Sequence, residues 1–137
     1  MHFEIIPASM QVAVTLQVAE HTPVYELKRI RLADDIPMAL ETTYIPANLI
    51  KGLTEEIISQ SIYSYIEDKL QLTIGEATQV IESAIARPNE VELLQLQKGS
   101  PILLIERRTY LDNGTPFEVV RSSYRADRYK FVSQLKR

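Results

Sequence analysis

Two segments of the chain have the pattern of a β-hairpin, and the two resemble each other. LADDIPMALE (Leu32 to Glu41) and LDNGTPFEVV (Leu111 to Val120) each begin with leucine, pass through Asp, Asn or Gly, and place a proline at the same position. Asp, Asn and Gly tolerate the positive φ angles of tight turns, so each segment predicts two antiparallel strands joined by a short turn. A chain with two such hairpins is expected to form an antiparallel sheet.

The strands of this sheet are predicted from the residues that flank the turns. Runs rich in β-branched and aromatic residues extend on both sides of each turn, with partial alternation of apolar and polar side chains. The predicted turns are Ala33–Asp35 and Asp112–Gly114. The predicted strands are Val24–Leu32, Ile36–Tyr44, Glu76–Ala86, a strand that begins with Ile102–Ile105, and Pro116–Tyr124.

Apolar residues at helical spacing predict helices outside these hairpins. The predicted helices are Pro7–Ala19, a helix from the N-cap Thr54 to about Leu70, and a brief helix that begins at Pro88 and ends before Gly99. Their predicted buried stripes are Met10, Val14 and Val18 in the first helix and Ile58, Ile62 and Ile66 in the second. Helices that flank an antiparallel sheet define an α+β fold.

The register of the first hairpin decides which residues share a face of the sheet. A three-residue turn is predicted to place Leu32 opposite Ile36, Arg31 opposite Pro37, Arg29 opposite Ala39 and Leu27 opposite Glu41. Arg29, Arg31 and Glu41 then share one face, whereas a two-residue turn would shift the pairing by one residue and move Glu41 to the other face. The same counting in the second hairpin predicts Glu118 opposite Arg108.

Composition restricts the class of protein. The 137 residues suit one domain, residues 1–137, and 15 Lys and Arg against 18 Asp and Glu give a net charge of -3, so this chain alone is not expected to bind DNA. The chain has no cysteine and no leader pattern, and the cytoplasm is the expected compartment. His2 and His21 are too few and too far from paired carboxylates to indicate a metal site, and no cofactor is expected.

Arg29 and Arg31 lie two residues apart in a predicted strand, so both project from the same face. Two guanidinium groups on one face suit a doubly negative group such as phosphate, because arginine donates to phosphate with two parallel hydrogen bonds. The alternative is that both are exposed residues paired with Glu26, Glu41 or Asp34. The spacing alone leaves both interpretations open.

Three longer runs resemble one known family of domains. PVYELKRIRLADDIPMALETTYIP, GLTEEIISQSIYSYIEDKL and KGSPILLIERRTYLDNGTPFEVVRSSYRADRYKF together are similar to the UTRA effector-binding domain of the HutC subfamily of GntR-type bacterial transcription regulators. The resemblance implies a chorismate-lyase-like fold, a homodimer, and an effector that is a phosphorylated sugar or another small acid. It also implies that DNA is bound by an N-terminal winged helix-turn-helix domain, which is absent from this chain.

The resemblance further implies a role for seven residues. Arginines would bind the phosphate, hydroxyls at the start of a helix would add donors, and carboxylates with one tyrosine would face the sugar hydroxyls or amine. In this order the residues are Arg29 and Arg31, then Ser61 and Tyr63, and finally Glu41, Glu118 and Tyr124. A phosphate contact from an interdomain loop would precede Met1, and Asp35 stands where the family usually has glycine.

Each of these residues also has a structural interpretation. Ser61 and Tyr63 could be ordinary helix surface residues, Glu118 could form a cross-strand ion pair with Arg108, and Tyr124 could be a core aromatic residue. Two other functions also remain open: a chorismate-lyase-like enzyme that acts on a small anionic substrate, and a dimerisation module that binds no small molecule. Binding is the main hypothesis, because the sequence has no recognisable pairing of a nucleophile with a base.

Overall fold

Six strands form one antiparallel sheet in the order β1-β2-β3-β6-β5-β4. The structure, a computed structural model, describes residues 1–136, so the last residue of the predicted domain lies outside the described part. The strands are β1 (His2–Pro7), β2 (Pro23–Ala33), β3 (Ile36–Pro46), β4 (Ile74–Ile85), β5 (Pro101–Leu111) and β6 (Pro116–Arg125). The helices are α1 (Met10–Leu16), α2 (Glu55–Gln60), α3 (Ile62–Ser64) and α4 (Pro88–Leu93), with a π-helical turn at Tyr65–Lys69 and a 3-10 turn at Ala126–Arg128. The predicted α+β class is confirmed.

The N-terminal segment differs most from its prediction. No strand is predicted before Pro7, yet β1 pairs with the first half of β2, from Pro23 to Lys28. The helix that follows is only seven residues long, and the predicted stripe is wrong, because Met10 is 63% and Val14 72% exposed. The buried face instead contains Val12, Ala13 and Leu16. Both sets of residues have helical spacing, so only packing against the sheet could decide between them.

The segment predicted as one helix from Thr54 to about Leu70 is broken. Thr54 is the N-cap as predicted, and its side chain accepts a hydrogen bond from the Ile57 N–H. The helix ends at Gln60, because Ser61 has an extended backbone and its hydroxyl accepts a second capping bond, from the Ser64 N–H at 3.2 Å. A serine that starts a new helical turn therefore interrupts the predicted helix.

The first hairpin has a two-residue turn rather than the predicted three-residue turn. Asp34 and Asp35 both have positive φ, and Ala33 pairs with Ile36. Met38 is then an extra residue in β3, so the register beyond it pairs Arg31 with Ala39 and Arg29 with Glu41. The predicted pairs are wrong: Leu32 pairs one residue beyond its predicted partner Ile36. The pairs predicted beyond the bulge are wrong by two residues, namely Arg31 with Pro37, Arg29 with Ala39, and Leu27 with Glu41. A shift of two preserves the face, so Arg29, Arg31 and Glu41 do lie together.

The second hairpin has the predicted turn, with Gly114 at a φ of 87°. Its return strand also carries an extra residue, Phe117, directly after a proline, as Met38 does in β3. The bulge moves the register by one residue, so Glu118 lies opposite Thr109 and the predicted pairing with Arg108 is wrong. Arg108 lies on the opposite face, where its Nε is 2.8 Å from Glu106.

Helices cover both faces of the sheet. The helices α2 and α3 pack over a core that includes Tyr25, Leu27 and Ile45, and α1 packs over Val24 and Val119 on the other face. The α4 helix lies on the same side as α1, and a hydrogen bond joins it to Ser123 of β6. Within the described residues, none of these helices has the length and apolar character needed to cross a bilayer. The face under α2 and α3 carries the residues predicted to bind an effector.

Candidate anion-binding site

A cavity of about 630 Å³ lies between this face of the sheet and the α2–α3 segment. Strands β2, β3, β6 and β5 form its floor, and α2 and α3 form its wall. All seven residues predicted from the sequence line it, together with residues that were not predicted. The lining residues are Arg29, Arg31, Glu41, Thr43, Ile58, Ser61, Ile62, Tyr63, Arg107, Glu118, Val120 and Tyr124.

Two arginines converge on one carboxylate oxygen at the β2 side of this cavity. Arg29 Nε lies 3.4 Å and Arg31 Nη2 lies 3.2 Å from the same Oε1 atom of Glu41. The Arg29 contact is an ion pair without hydrogen-bond geometry, since Arg29 Nε is buried and has no hydrogen-bond partner among residues 1–136. The pairing with Glu41 expected in the structural interpretation is therefore present, and it leaves guanidinium donors available toward the cavity.

The helix break places two hydroxyl groups at the wall of the cavity. Ser61 is exposed, and its oxygen accepts the capping bond, so its O–H is free to donate. Tyr63 reaches across to the sheet, where its O–H donates to Glu118 Oε1 at 2.8 Å. Its ring also packs edge-on against Phe117, with ring centroids 5.9 Å apart. Tyr63 therefore joins the helical wall to the floor of the cavity.

Glu118 is a buried carboxylate, only 4% exposed. Its partners are neutral hydroxyls, Tyr63 and, at 3.4 Å, Thr109. Burial raises the pKa of Glu118, although the hydrogen bond from Tyr63 and the charge of Arg107 oppose the shift. Because its partners carry no charge, this carboxylate can exchange them for ligand hydroxyls without leaving a buried ion unpaired.

Tyr124 lies opposite Ala39 in the β3–β6 pair, one strand removed from Arg31. Its ring packs against Tyr129 at a centroid distance of 4.8 Å. Burial raises the pKa of the Tyr124 phenol, and the charge of Glu41 raises it further, so the hydroxyl remains protonated at neutral pH. The side chain thus has both a packing role and a hydroxyl at the cavity.

Sequence reasoning missed Arg107 and Thr43. Thr43 is buried two residues beyond Glu41 on the same face of β3. Arg107 lies on β5 opposite Val120, which also lines the cavity. If the Phe117 bulge is not counted, Arg108 is assigned to the cavity face of the sheet. For this reason sequence reasoning missed Arg107, which lies there instead.

The expectation that the histidines lie away from carboxylates is wrong for His2. Its Nε2 lies 3.2 Å from Glu4 Oε1 and 3.3 Å from Glu26 Oε1, a grouping close enough to share one metal ion. The Lys28 ammonium lies 3.9 Å from the same Glu26 oxygen and would compete with such an ion. These polar side chains therefore form a contact group at the β1 edge of the sheet, remote from the cavity.

A family model for the UTRA domain matches residues 1–130, so this chain belongs to the UTRA domain family. It is 41% identical over 135 residues to the HTH-type transcriptional repressor NagR of Bacillus subtilis, covering 98% of this chain and 56% of the relative. It is 34% identical over 130 residues to the mannosyl-D-glycerate transport/metabolism system repressor MngR of Escherichia coli, covering 95% of this chain and 54% of the relative. The chain thus spans little more than half the length of these relatives.

The fold has a close match among solved structures. The crystal structure of a GntR-family transcriptional regulator from Bacillus cereus superposes with a TM-score of 0.93 at 26% sequence identity, covering 99% of this chain and 95% of that chain. The family resemblance inferred from the sequence is therefore confirmed, and the relatives are transcription regulators.

Proposed function

We propose that this domain binds a small anionic effector, a phosphorylated sugar, and that binding controls the attachment to DNA of another domain in a longer regulator. The observation that carries the proposal is the pair of arginines on one face of β2, both directed at a single oxygen of Glu41. Two guanidinium groups have ten N–H donors, far more than one carboxylate can accept. The remaining donors match the oxygens of a phosphate group.

The charges of the cavity suit a dianion. Three arginines and two glutamates line it, which leaves an excess of positive charge. A phosphate monoester carries about -1.5 to -2 at neutral pH and would bring the sum to between about -0.5 and -1. Phosphate bound to Arg29 and Arg31 would share their guanidinium groups with Glu41. The Glu41 carboxylate would therefore keep its arginine partners when the ligand binds.

The other half of the cavity suits the hydroxyl groups of a sugar. Glu118 accepts hydrogen bonds from Tyr63 and Thr109, and the Tyr124 hydroxyl lines the same space. Sugar hydroxyls could replace or extend these bonds, and an analogue that lacks a hydroxyl would leave a buried acceptor unpaired. The arrangement therefore supports a phosphate at β2 and a sugar ring over β3 and β6.

A homodimer is part of the proposal, with a second copy of this chain as the partner. Strand β4 ends the sheet, and within residues 1–136 its outer edge pairs with no other strand. Val80 and Ile85 on this strand are more than half exposed, which is uncommon for residues of their size. Sedimentation of the purified chain should give twice the monomer mass; a monomer at micromolar concentration would contradict this part.

Catalysis is the rival function, and one observation favours it. Glu118 is a carboxyl group with a raised pKa inside a cavity, a combination that enzymes use for general acids. Glu118 accepts the bonds from Tyr63 and Thr109 through Oε1, as a binding carboxylate would accept ligand hydroxyls, and we propose a binding role instead. Incubation with chorismate should yield no 4-hydroxybenzoate, and formation of that product would establish the rival.

The direct test compares sugar phosphates with their unphosphorylated parents in a thermal-shift screen followed by calorimetry. A ligand at 100 times its Kd should stabilise the fold by about 2.7 kcal/mol, an increase easily measured as a raised Tm. Arg29→Ala combined with Arg31→Ala should weaken sugar phosphate binding about 100-fold or more, because two charge-assisted contacts are lost. Arg108→Ala, on the opposite face, is the matched control. Equal binding by the double variant and the control would refute the phosphate site.

A further inference from the structure

Arg107 is the one arginine of this cavity that has no partner in the described chain. Arg29 and Arg31 contact Glu41, whereas Arg107 forms neither an ion pair nor a side-chain hydrogen bond with any of residues 1–136. It lies on β5, three strands away from β2, which corresponds to about 14 Å between backbones. A cavity that already has two arginines at one end thus has a third, unpaired arginine at the other.

The charge of Arg107 reaches the polar groups at its end of the cavity. Burial raises the pKa values of Glu118, Tyr63 and Tyr124, and in all three cases the Arg107 charge acts in the opposite direction. The guanidinium group is therefore within electrostatic range of each of these side chains. A ligand that contacts Glu118 and Tyr124 would have Arg107 beside it.

We propose that Arg107 is a specificity-determining residue: it donates to an acceptor oxygen, a carbonyl or carboxylate, at the end of the effector remote from the phosphate, and it disfavours an ammonium group there. This inference rests on the proposed function, because it assumes that phosphate occupies the β2 end. Its physical basis is that an unpaired guanidinium gains hydrogen bonds from an acceptor and repels a cation.

The acidic groups of the cavity do not cancel this preference. Glu41 is already in contact with two arginines, so little of its charge is available to attract an ammonium group. Glu118 accepts a hydrogen bond from Tyr63. It also lies close enough to Arg107 for the arginine charge to oppose the rise in the Glu118 pKa that burial causes. An amino substituent would therefore meet the unpaired positive charge of Arg107, whereas an acyl or carboxylate oxygen would meet a free donor.

The test is a calorimetric comparison of four sugar phosphates at about pH 6, where an amine is protonated. Glucosamine 6-phosphate presents an ammonium group, N-acetylglucosamine 6-phosphate presents a carbonyl, and 6-phosphogluconate presents a carboxylate. Glucose 6-phosphate presents none of these groups. The natural chain should bind the carbonyl or the carboxylate compound at least about 10-fold more tightly than the ammonium compound, and whichever of the two binds better identifies the acceptor.

Arg107→Ala and Arg107→Gln should remove this discrimination. In both variants the preference for the carbonyl or carboxylate compound over glucosamine 6-phosphate should fall to within about 3-fold, and the Kd for glucose 6-phosphate should rise by less than the Kd of the preferred compound. Arg108→Ala is the matched control, since it removes the adjacent arginine from the opposite face and should retain the full preference. An unchanged Tm would show that each variant is folded.

The possible results separate this inference from the proposal beneath it. In one case the natural chain binds glucose 6-phosphate, the Arg29 and Arg31 double variant does not, and Arg107→Ala still prefers the carbonyl or carboxylate compound over glucosamine 6-phosphate. That result would overturn only the role of Arg107. An equal loss for all four ligands in Arg107→Ala would also overturn it, since Arg107 would then be a general anion contact. If the natural chain binds none of the four, both ideas fail.

Discussion

A buried glutamate lies against each face of the sheet, and the two differ in what neutralises them. Glu90 of α4 is fully buried on the α1 side, and Glu118 of β6 is almost as buried on the α2 side. Glu90 accepts hydrogen bonds from the Arg87 guanidinium, the Arg87 backbone N–H and the Ser123 hydroxyl. Among residues 1–136, Glu118 accepts bonds only from the neutral hydroxyls of Tyr63 and Thr109.

The partners decide whether folding lowers or raises the pKa of each carboxyl group. Burial alone would raise both pKa values, but the Arg87 and Ser123 bonds hold the pKa of Glu90 below its ordinary value. The pKa of Glu118 stays above its ordinary value, because burial outweighs its hydroxyl partners. A carboxylate with a charged partner stabilises the fold, whereas one with neutral partners remains available to a ligand at a small cost in stability.

The largest expected effect comes from removing the glutamate that is fully paired. Glu90→Ala should destabilise the chain by about 3 kcal/mol at neutral pH, because the Ser123 hydroxyl and the Arg87 N–H lose their acceptor and a cavity remains. Since folding lowers the pKa of Glu90, its contribution is complete above the ordinary glutamate pKa and is lost as the pH falls through the lowered value. Urea denaturation at neutral and acid pH measures both.

Glu92→Ala, an exposed position on the same helix, is the control for the effect of alanine in α4. It should change the free energy of unfolding by less than about 0.5 kcal/mol. A similar loss in both variants would mean that the loss in Glu90→Ala does not come from the buried bonds of Glu90.

A smaller effect is expected from the donor on the other face. Tyr63→Phe removes the O–H that Glu118 accepts and should cost about 1.5 kcal/mol at neutral pH. Loss of this donor raises the folded-state pKa of Glu118 further, so the cost should shrink as the pH falls below the ordinary glutamate value and the carboxyl becomes protonated. Tyr65→Phe, which removes a hydroxyl bonded to the Lys51 carbonyl instead, should show no such pH dependence.

Local sequence patterns predicted most of the secondary structure but not its register. Two helices begin as predicted, at Thr54 and Pro88, and the second hairpin turns as predicted at Gly114. Each of these features depends on only a few neighbouring residues. The register depended on extra residues at Met38 and Phe117, which counting by twos cannot detect. Strand β1 was missed because its existence depends on pairing with a distant edge.

The candidate site followed mainly from the family resemblance, and its geometry explains what was missed. Arg29, Arg31 and Glu41 still share a face as predicted, because the two-residue turn and the bulge each shift the register by one residue and together preserve the face. In the second hairpin a single shift exchanges the faces of Arg107 and Arg108 relative to Glu118. An arginine at the cavity was therefore overlooked in favour of one that pairs with Glu106 on the other face.

The smallest effect, and one of opposite sign, is expected from neutralising the carboxylate that faces the cavity. Folding raises the pKa of Glu118, so the carboxyl is best tolerated below the ordinary glutamate pKa of about 4.3, and stability is lost as the pH rises through the raised value. Glutamine cannot ionise and still accepts a bond from Tyr63, so Glu118→Gln should stabilise the free chain by about 0.5–1 kcal/mol at neutral pH.

The same change should weaken sugar phosphate binding, because an amide accepts fewer bonds from sugar hydroxyls than a carboxylate does. Thermal unfolding of the natural chain and Glu118→Gln from about pH 4 to 8 measures the first effect as a difference that grows with pH. Glu90→Gln, measured in parallel, should be less stable than the natural chain, with a deficit that is complete just above the ordinary glutamate pKa and constant from there to pH 8. If both glutamine variants lose stability at neutral pH, then Glu118 is a structural residue like Glu90, and the distinction between the two faces of the sheet is wrong.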